Sequence, residues 1–478
     1  MKNKIIFGLT LLILTQTSCF GAEDPDWASA AAAAAPTESP PSLEEIAAKR
    51  FVQEDTLIPF LKSFGNHDAE PLYDIPELQK QLDKLLIPYL TKTLRGHTDW
   101  INLISWHHSG EYLASASGDK TIKIWNPRSG DCLQTLRGHT NWITSISWHP
   151  SGEFLASASF DETIKRWNPN SAKCLQTLSG HKVSVLLVAW HPSGKFLASK
   201  YFDGTIKIWN PYSAKCLQTL RSDPVDIISI SWHPSGESLA SESCYDGTIS
   251  GTIKIWNPYS AECLQTLSGH TGYISSISWH PSGKFLSSAS LDGTIKIWNT
   301  ETGECLQTLR GHTGYIRSIS WHPSGEFLAS ASCYDGTIKI WNPNYAECLQ
   351  TLREHTGRIN SISWHPSGKF LASASYNKTI KIWNHNSGVC LQTLSGHKES
   401  VSSISWHPSG EFLASASWDK TIKIWPFYQL SIEQQLFLLK VFLIGRIAID
   451  QIDKLMPIYD SLPKELQFQV DKIIKVDL

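Results

Sequence analysis

Methionine is nearly absent from the 478-residue chain, two in all, and neither charge is in excess, with 42 Lys+Arg against 44 Asp+Glu. Hydrophobic types make up 41% and charged types 18%, which argues against whole-chain disorder and against a collagen-like architecture. The near-zero balance also removes the drive for phosphate-backbone binding, so no nucleic-acid partner is expected. No Gly-rich phosphate loop, no nucleophile elbow and no histidine pair at zinc-ligand spacing occurs. No catalytic residue, metal or cofactor is therefore expected. Past the N-terminus there is no candidate membrane span either, since the apolar stretch Leu436 to Ile449 is short and interrupted by Lys440 and Arg446.

What is abundant is tryptophan, twenty residues, and it recurs with a period. Ile-Lys-Ile-Trp ends at Trp125, Trp209, Trp256, Trp298, Trp341, Trp383 and Trp425, and Trp167 ends the variant Ile-Lys-Arg-Trp, with gaps of 42, 42, 47, 42, 43, 42 and 42 residues. A second Trp stands before a turn in each copy, from Trp106 to Trp406, which leaves only Trp27, Trp100, Trp142 and Trp418 outside the pattern. Each copy reads as four short strands, for example Ile143 to Trp148, Phe154 to Ser159, Thr163 to Trp167 and Cys174 to Leu178. The alternation in Thr121-Ile122-Lys123-Ile124 predicts a half-buried antiparallel strand. His149-Pro150-Ser151-Gly152 suits a type I turn, and Asp203-Gly204 and Asp292-Gly293 suit hairpins. In the first copy His108 replaces the turn proline.

With Gly-His at Gly96-His97, Gly138-His139, Gly180-His181, Gly269-His270, Gly311-His312 and Gly396-His397, these units resemble WD repeats over residues 90–425. Trp-Asn, or Trp-Pro at Trp425-Pro426, stands in place of the family's terminal Trp-Asp. The resemblance implies an all-β propeller of four-stranded blades. Because an extra strand, Leu90 to Leu94, precedes the first copy, every strand type is present eight times. Eight blades closed by that strand are expected, with seven as the alternative.

The resemblance also implies a structural tetrad of His, Ser, Asp and Trp in each blade. It maps onto His97, Ser115, Asp119 and Trp125, then His139, Ser157, Asp161 and Trp167, then His181, Ser199, Asp203 and Trp209. Later copies give His270, Ser288, Asp292 and Trp298, then His312, Ser330, Asp335 and Trp341, and finally His397, Ser415, Asp419 and Trp425. The fourth copy departs from it, with Asp223 for His and an inserted Gly247-Thr248-Ile249-Ser250. The seventh departs too, with Glu354 before His355 and Asn377 for Asp. These two blades are expected to be the least rigid. Fifteen of the eighteen histidines sit at repeated positions and read as structural.

Seven of the ten cysteines recur at one place in successive outer strands, whole blades apart and too distant to pair. They read as small buried apolar residues. Lys2 and Lys4 followed by Ile5 to Leu14 suit a signal peptide over residues 1–21, and Gln16-Thr17-Ser18-Cys19 looks like a degenerate lipoprotein box with lipidation at Cys19 as an alternative to plain cleavage. Export is thus expected, to a periplasmic, lipid-anchored or secreted location. Residues 22–42 read as a low-complexity linker, 43–89 as a helical segment and 426–478 as a second one, the two forming one accessory module. Leu462-Pro463-Lys464-Glu465-Leu466 is similar to the Leu-Pro-x-x-Leu core of F-box and SOCS-box segments, although a helix start capped by Ser461 explains it as simply.

WD propellers bind peptides or domains on the face carrying the loops between strands two and three and between blades, and the resemblance implies three positions per blade there. Ten of these twenty-four are aromatic: Trp100, Trp142, Phe160, Phe202, Tyr245, Tyr273, Tyr315, Tyr334, Tyr376 and Trp418. At the chain-wide 11% about three would be expected, so the enrichment marks a partner-binding face. Asn102, Arg317, Arg358 and Asn360 are expected to add polar specificity. The resulting expectation is a non-enzymatic, exported scaffold for protein or peptide partners. Two alternatives stand beside it: a ubiquitin-ligase adaptor-like effector of an intracellular bacterium, and an exported enzyme with a central-channel site.

Overall fold

Ile122, Ile124 and Trp125 are buried, and so is Lys123 between them, whose ammonium donates to Thr135 Oγ1 at 2.9 Å. The expected half-buried strand is corrected for this blade, where neighbouring sheets cover both faces and Lys123 is buried but satisfied, whereas the equivalent strands Ile164–Asn168 and Thr205–Asn210 keep the alternation, with Lys165 and Lys207 half-buried. The Leu-Ala-Ser-Ala-Ser strands are likewise buried along their whole length. Their small side chains let the next copy come close: Ala114, Ala116, Ile122 and Ile124 share one cluster with Ile143, Ile146, Leu155 and Trp167. Eight such clusters repeat around the ring, so the core is a set of seams between sheets.

The computed structural model describes residues 91–180, 183–221, 229–243 and 251–427. Its thirty-two strands, β1 to β32 in chain order, form eight four-stranded antiparallel sheets. One is β2 (Ile101–Trp106), β3 (Leu113–Ser117), β4 (Ile122–Trp125) and β5 (Cys132–Leu136), running from the inner to the outer strand. The last sheet draws on both ends of the repeat array. There β1 (Lys92–Arg95) lies antiparallel beside β32 (Thr421–Pro426), Lys92 opposite Ile424 and Arg95 opposite Thr421. Leu94 then packs with Ile101, Ile104 and Ile424 across the closing seam. The protein is an eight-bladed propeller, and the seven-bladed alternative is excluded.

Polar ties cross each seam in both directions. The first-strand indole donates back to the preceding blade, Trp106 Nε1 to Ser405 O at 2.9 Å and Trp148 to Ser105 O at 3.1 Å. The histidine after it reaches forward. His149 Nδ1 accepts from the Ser151 amide, which leaves the proton on Nε2 to donate to Gly194 O at 3.1 Å, and His407 closes the ring on Gly110 O. Gly194 has φ +73°, and a Cβ there would collide with the His149 ring. On the rim, Gln134 donates to Asn170 O of the next blade at 2.9 Å.

Two expectations are corrected. Cys132, Cys174, Cys216, Cys263 and Cys305 are exposed, and Cys348 and Cys390 are half-buried, because the outermost strand has no further strand beyond it. The propeller also extends past 425, since Pro426 ends β32 and Phe427 packs on Phe370 with ring centroids 5.0 Å apart. The signal peptide with Cys19, the linker, the two helical segments and the Leu462 to Leu466 motif lie outside the described residues. So do His181, Asp223, Cys244, Tyr245 and the insertion at 247–250.

Candidate partner-binding face

The connections between strands two and three and those between blades emerge at one end of every sheet, where the tetrads hold them. In the first blade Trp125 Nε1 donates to Ser115 Oγ at 2.8 Å, Ser115 meets His97 Nε2 at 2.7 Å, and His97 Nδ1 meets Asp119 at 2.7 Å. Asp119 also accepts from Thr121 Oγ1 at 2.6 Å and from the Thr98 amide at 3.0 Å, which fastens both connections to one carboxylate. Burial pushes that carboxyl up, but the hydrogen bonds from His97 and Thr121 outweigh it and hold Asp119 well below the usual carboxylate range. Asp161, Asp292, Asp335 and Asp419 are held down in the same way.

The second, fifth, sixth and eighth blades repeat the relay. His139, His270 and His397 lie 2.7 to 2.9 Å from Asp161, Asp292 and Asp419, and His312 lies 3.1 Å from Asp335. Ser157, Ser288, Ser330 and Ser415 join these histidines to Trp167, Trp298, Trp341 and Trp425. In the third blade Trp209 donates to Ser199 and Asp203 accepts from Thr205. The seventh keeps His355 on Ser373 at 2.7 Å, but with Asn377 in place of Asp the His355 Nδ1 has no hydrogen-bond partner. Burial, reinforced by the Lys381 charge, pushes the His355 pKa down to about 4.

On this frame the two aromatic positions of a blade are joined through the backbone. Phe160 N donates to Trp142 O, Tyr376 N to Arg358 O and Trp418 N to Ser400 O, all within 3.0 Å. Eight of the nine described rings are exposed, from 37% at Trp418 to 64% at Tyr334, and Phe160 is half-buried. Five of them touch in sequence across four blades: Tyr376–Trp418 at 5.8 Å, Trp418–Trp100 at 5.6 Å, Trp100–Trp142 at 6.3 Å and Trp142–Phe160 at 6.1 Å between centroids. Lys378 and Lys420 pin the loops under this arc by donating to Lys398 O and Thr98 O of the following blades.

Tyr315 meets Tyr334 edge-on at 4.8 Å, and the Arg358 guanidinium lies 5.5 Å from the Tyr334 centroid. Arg317 and Arg358 are exposed and form no ion pair with a described residue. Both face the Cys333 thiol, whose pKa burial raises against their opposing charge. Phe202 and Tyr273 are exposed but make no ring contact with the arc.

Asn102 and Asn360 do not serve as expected. Asn102 Nδ2 donates to Ile143 O at 3.1 Å, and Asn360 Nδ2 to Val401 O at 2.9 Å, so both are struts between inner strands. Thr144 and Ser402 do the same for Val185 O and Ile101 O, a shared donor chemistry that could have shown the role. Among the described residues no group of three His, Cys, Asp or Glu could hold a metal ion, and no helix is long and apolar enough to cross a membrane.

Eight consecutive matches to the WD domain, G-beta repeat, run from residues 88–126 to 388–426, in step with the eight sheets. The chain belongs to this family. The WD-repeat ring is similar in structure to the computationally designed Ika8 protein, with a TM-score of 0.62 at 25% identity, covering 70% of this chain and 98% of that one. Curated relatives include the ribosome biogenesis protein BOP1 homologs of Drosophila virilis and Drosophila melanogaster, each 43% identical over 70 residues. That match takes in 14% of this WD-repeat chain and only 9% of theirs. WD-repeat propellers are typically protein-interaction scaffolds.

Proposed function

We propose that this WD-repeat protein is a non-enzymatic scaffold that binds an extended protein segment along the arc from Tyr376 through Trp418, Trp100 and Trp142 to Phe160. The observation that carries this reading is the unbroken series of exposed, touching rings on loops already held by tetrads and lysine bridges. Rings fixed in place offer large contact area at little entropic cost, the property of binding hot spots. Arg317 and Arg358, which pair with no acidic side chain among the described residues, favour a partner with acidic residues at the Tyr334 end. The strongly shifted carboxylates belong to repeated tetrads, which supports a scaffold over an enzyme. Ribosome biogenesis is not carried over, because the match to those relatives is shorter than two repeats.

The test is affinity capture by wild type and by a Trp100, Trp142 and Trp418 to Ala triple variant whose circular dichroism and melting match wild type. A partner retained by wild type and lost by the variant is expected. Identical or empty captures would remove the arc as the binding site.

Export remains part of the proposal, resting on Lys2, Lys4, the apolar run and Cys19. The exposed, unpaired thiols favour a particular form of it, an effector that ends in a reducing compartment, since an oxidising one would leave five accessible thiols open to cross-linking. Loss of binding to ligase subunits on truncation at Ser461 would separate this adaptor-like reading from a simple scaffold.

A further inference from the structure

One repeat breaks the pattern inside the core. The position two residues into Ile-Lys-Ile-Trp is isoleucine in seven copies, all buried, as at Ile124, Ile208 and Ile340; in the second blade it is Arg166, only 8% exposed. Placing a guanidinium in a slot built for isoleucine works against stability unless the charge has a use. Nothing in the repeat requires it, since seven blades close without it.

The surroundings of Arg166 are built around the cation. Its guanidinium carbon lies 4.7 Å from the Phe154 ring centroid and 4.8 Å from that of Tyr212, and these rings from adjacent blades meet each other edge-on at 6.3 Å, forming an aromatic corner against the cation. Tyr212 is fixed from its own blade, its hydroxyl 3.4 Å from Gly194 O and its amide donating to Asn210 Oδ1 at 2.9 Å. His149, 3.3 Å from that hydroxyl, is kept neutral by burial and adds no charge. Arg166 Nε is fully buried and makes no hydrogen bond, and among the described residues no hydrogen bond or carboxylate partner of the two terminal nitrogens is found. Desolvation of the group lowers its pKa, a strain that a bound anion would relieve.

We propose that Arg166, held against the corner made by Phe154 and Tyr212, is a carboxylate-binding site at the seam between the second and third blades, on the face opposite the aromatic arc. The placement follows from the strand order: Phe154 immediately precedes the second strand of its blade, Leu155–Ser159, and Tyr212 lies in a turn between strands three and four, at the end of the sheets away from the partner face. A guanidinium edge presents two parallel N–H groups at the spacing of two carboxylate oxygens. One cation balances one negative charge, and ring walls favour a flat, weakly hydrated anion over phosphate. The carboxylate comes from a chain terminus or from an Asp or Glu side chain of a partner. This site is independent of the arc, so a partner can be held on both faces of the ring.

The test uses the full chain as wild type, R166I and R166K. R166I restores the residue that seven blades carry and so keeps the fold; R166K keeps the charge without the planar edge. Line broadening of carbon-13 acetate is titrated at pH 7, with chloride and inorganic phosphate as competitors at equal ionic strength. Expected is saturable acetate broadening by wild type, at least about tenfold weaker in both variants, and a higher melting midpoint in acetate than in chloride for wild type only. N-acetylglycine and N-acetylaspartate amide then distinguish a chain terminus from a side chain. Equal broadening by wild type and R166I overturns the proposal, and so does displacement of acetate by phosphate at lower concentration. If R166I does not fold, wild type against R166K decides, and equality between these two also overturns it.

Discussion

Trp100 and Trp418 stack across the seam where the chain closes, their centroids 5.6 Å apart and their planes within 23°. One belongs to the first copy and the other to the last, and the contact exists only because β1 beside β32 brings these ends together. Ring closure and the binding face are therefore coupled.

Stacked indoles couple electronically, so Trp418→Ala should remove an exciton feature from the circular dichroism of the wild type. Because the side chain is exposed, stability should change by no more than about 0.5 kcal/mol. Partner binding should weaken by about 2 kcal/mol or more. A large drop in melting midpoint with binding intact would reverse the reading of this ring.

Leu94 is buried against Ile101, Ile104 and Ile424, although it lies on the short strand before the first copy. Leu94→Ala should cost about 2–4 kcal/mol, as other core leucines do. Deleting residues through Arg95 should go further and expose the edge of β32, with concentration-dependent association by light scattering. A monomeric deletion variant with unchanged stability would show that closure does not depend on β1.

The period, the turns and the extra strand made the ring legible from sequence, because each blade repeats the same short-range geometry. The aromatic loops were legible for the same reason, since variation against a constant frame stands out. What could not be read was anything set by the facing blade. Burial on both sides of a sheet turned Lys123 from a solvent residue into a core one, and the lack of a fifth strand turned the cysteines outward. Asn102 and Asn360 look like recognition residues until the next inner strand is in place. Arg166 was visible as a variant of Ile-Lys-Ile-Trp, but the aromatic corner it packs on joins Phe154 to Tyr212 of another repeat, which spacing along the chain does not reveal.

The outer thiols should divide by environment. Cys132, Cys174, Cys216, Cys263 and Cys305 are exposed and should react promptly with a disulfide reagent in the native protein. Cys390 should lag, since burial pushes its pKa up to about 11 and leaves little thiolate at neutral pH. Mass spectrometry after timed labelling checks the order. Labelling of Cys390 as fast as Cys132 would contradict the burial assigned to the seventh blade.

Asn377 offers a repair that also tests the tetrad. His355 titrates near 6.5 when unfolded but only at about 4 in the fold, so the unfolded state takes up its proton first as pH falls. Its contribution is fully present above about pH 6.5 and is lost as pH falls toward 4. The tetrad aspartates add a second loss at lower pH. Their folded pKa values lie below the unfolded value of about 3.9, so their contribution is complete above that value and disappears as pH falls through the depressed ones. Asn377→Asp gives His355 Nδ1 the carboxylate that the five complete tetrads have, and should add about 1–2 kcal/mol at pH 7. It should also shrink the first of the two losses, because the carboxylate opposes the burial that lowers the His355 pKa, although burial still outweighs Asp161 at His139. Melting midpoints from pH 8 to 3 for wild type and Asn377→Asp check both statements. If the two curves run parallel through pH 6.5 to 4, the unpartnered Nδ1 of His355 is not what sets the acid sensitivity of the wild type.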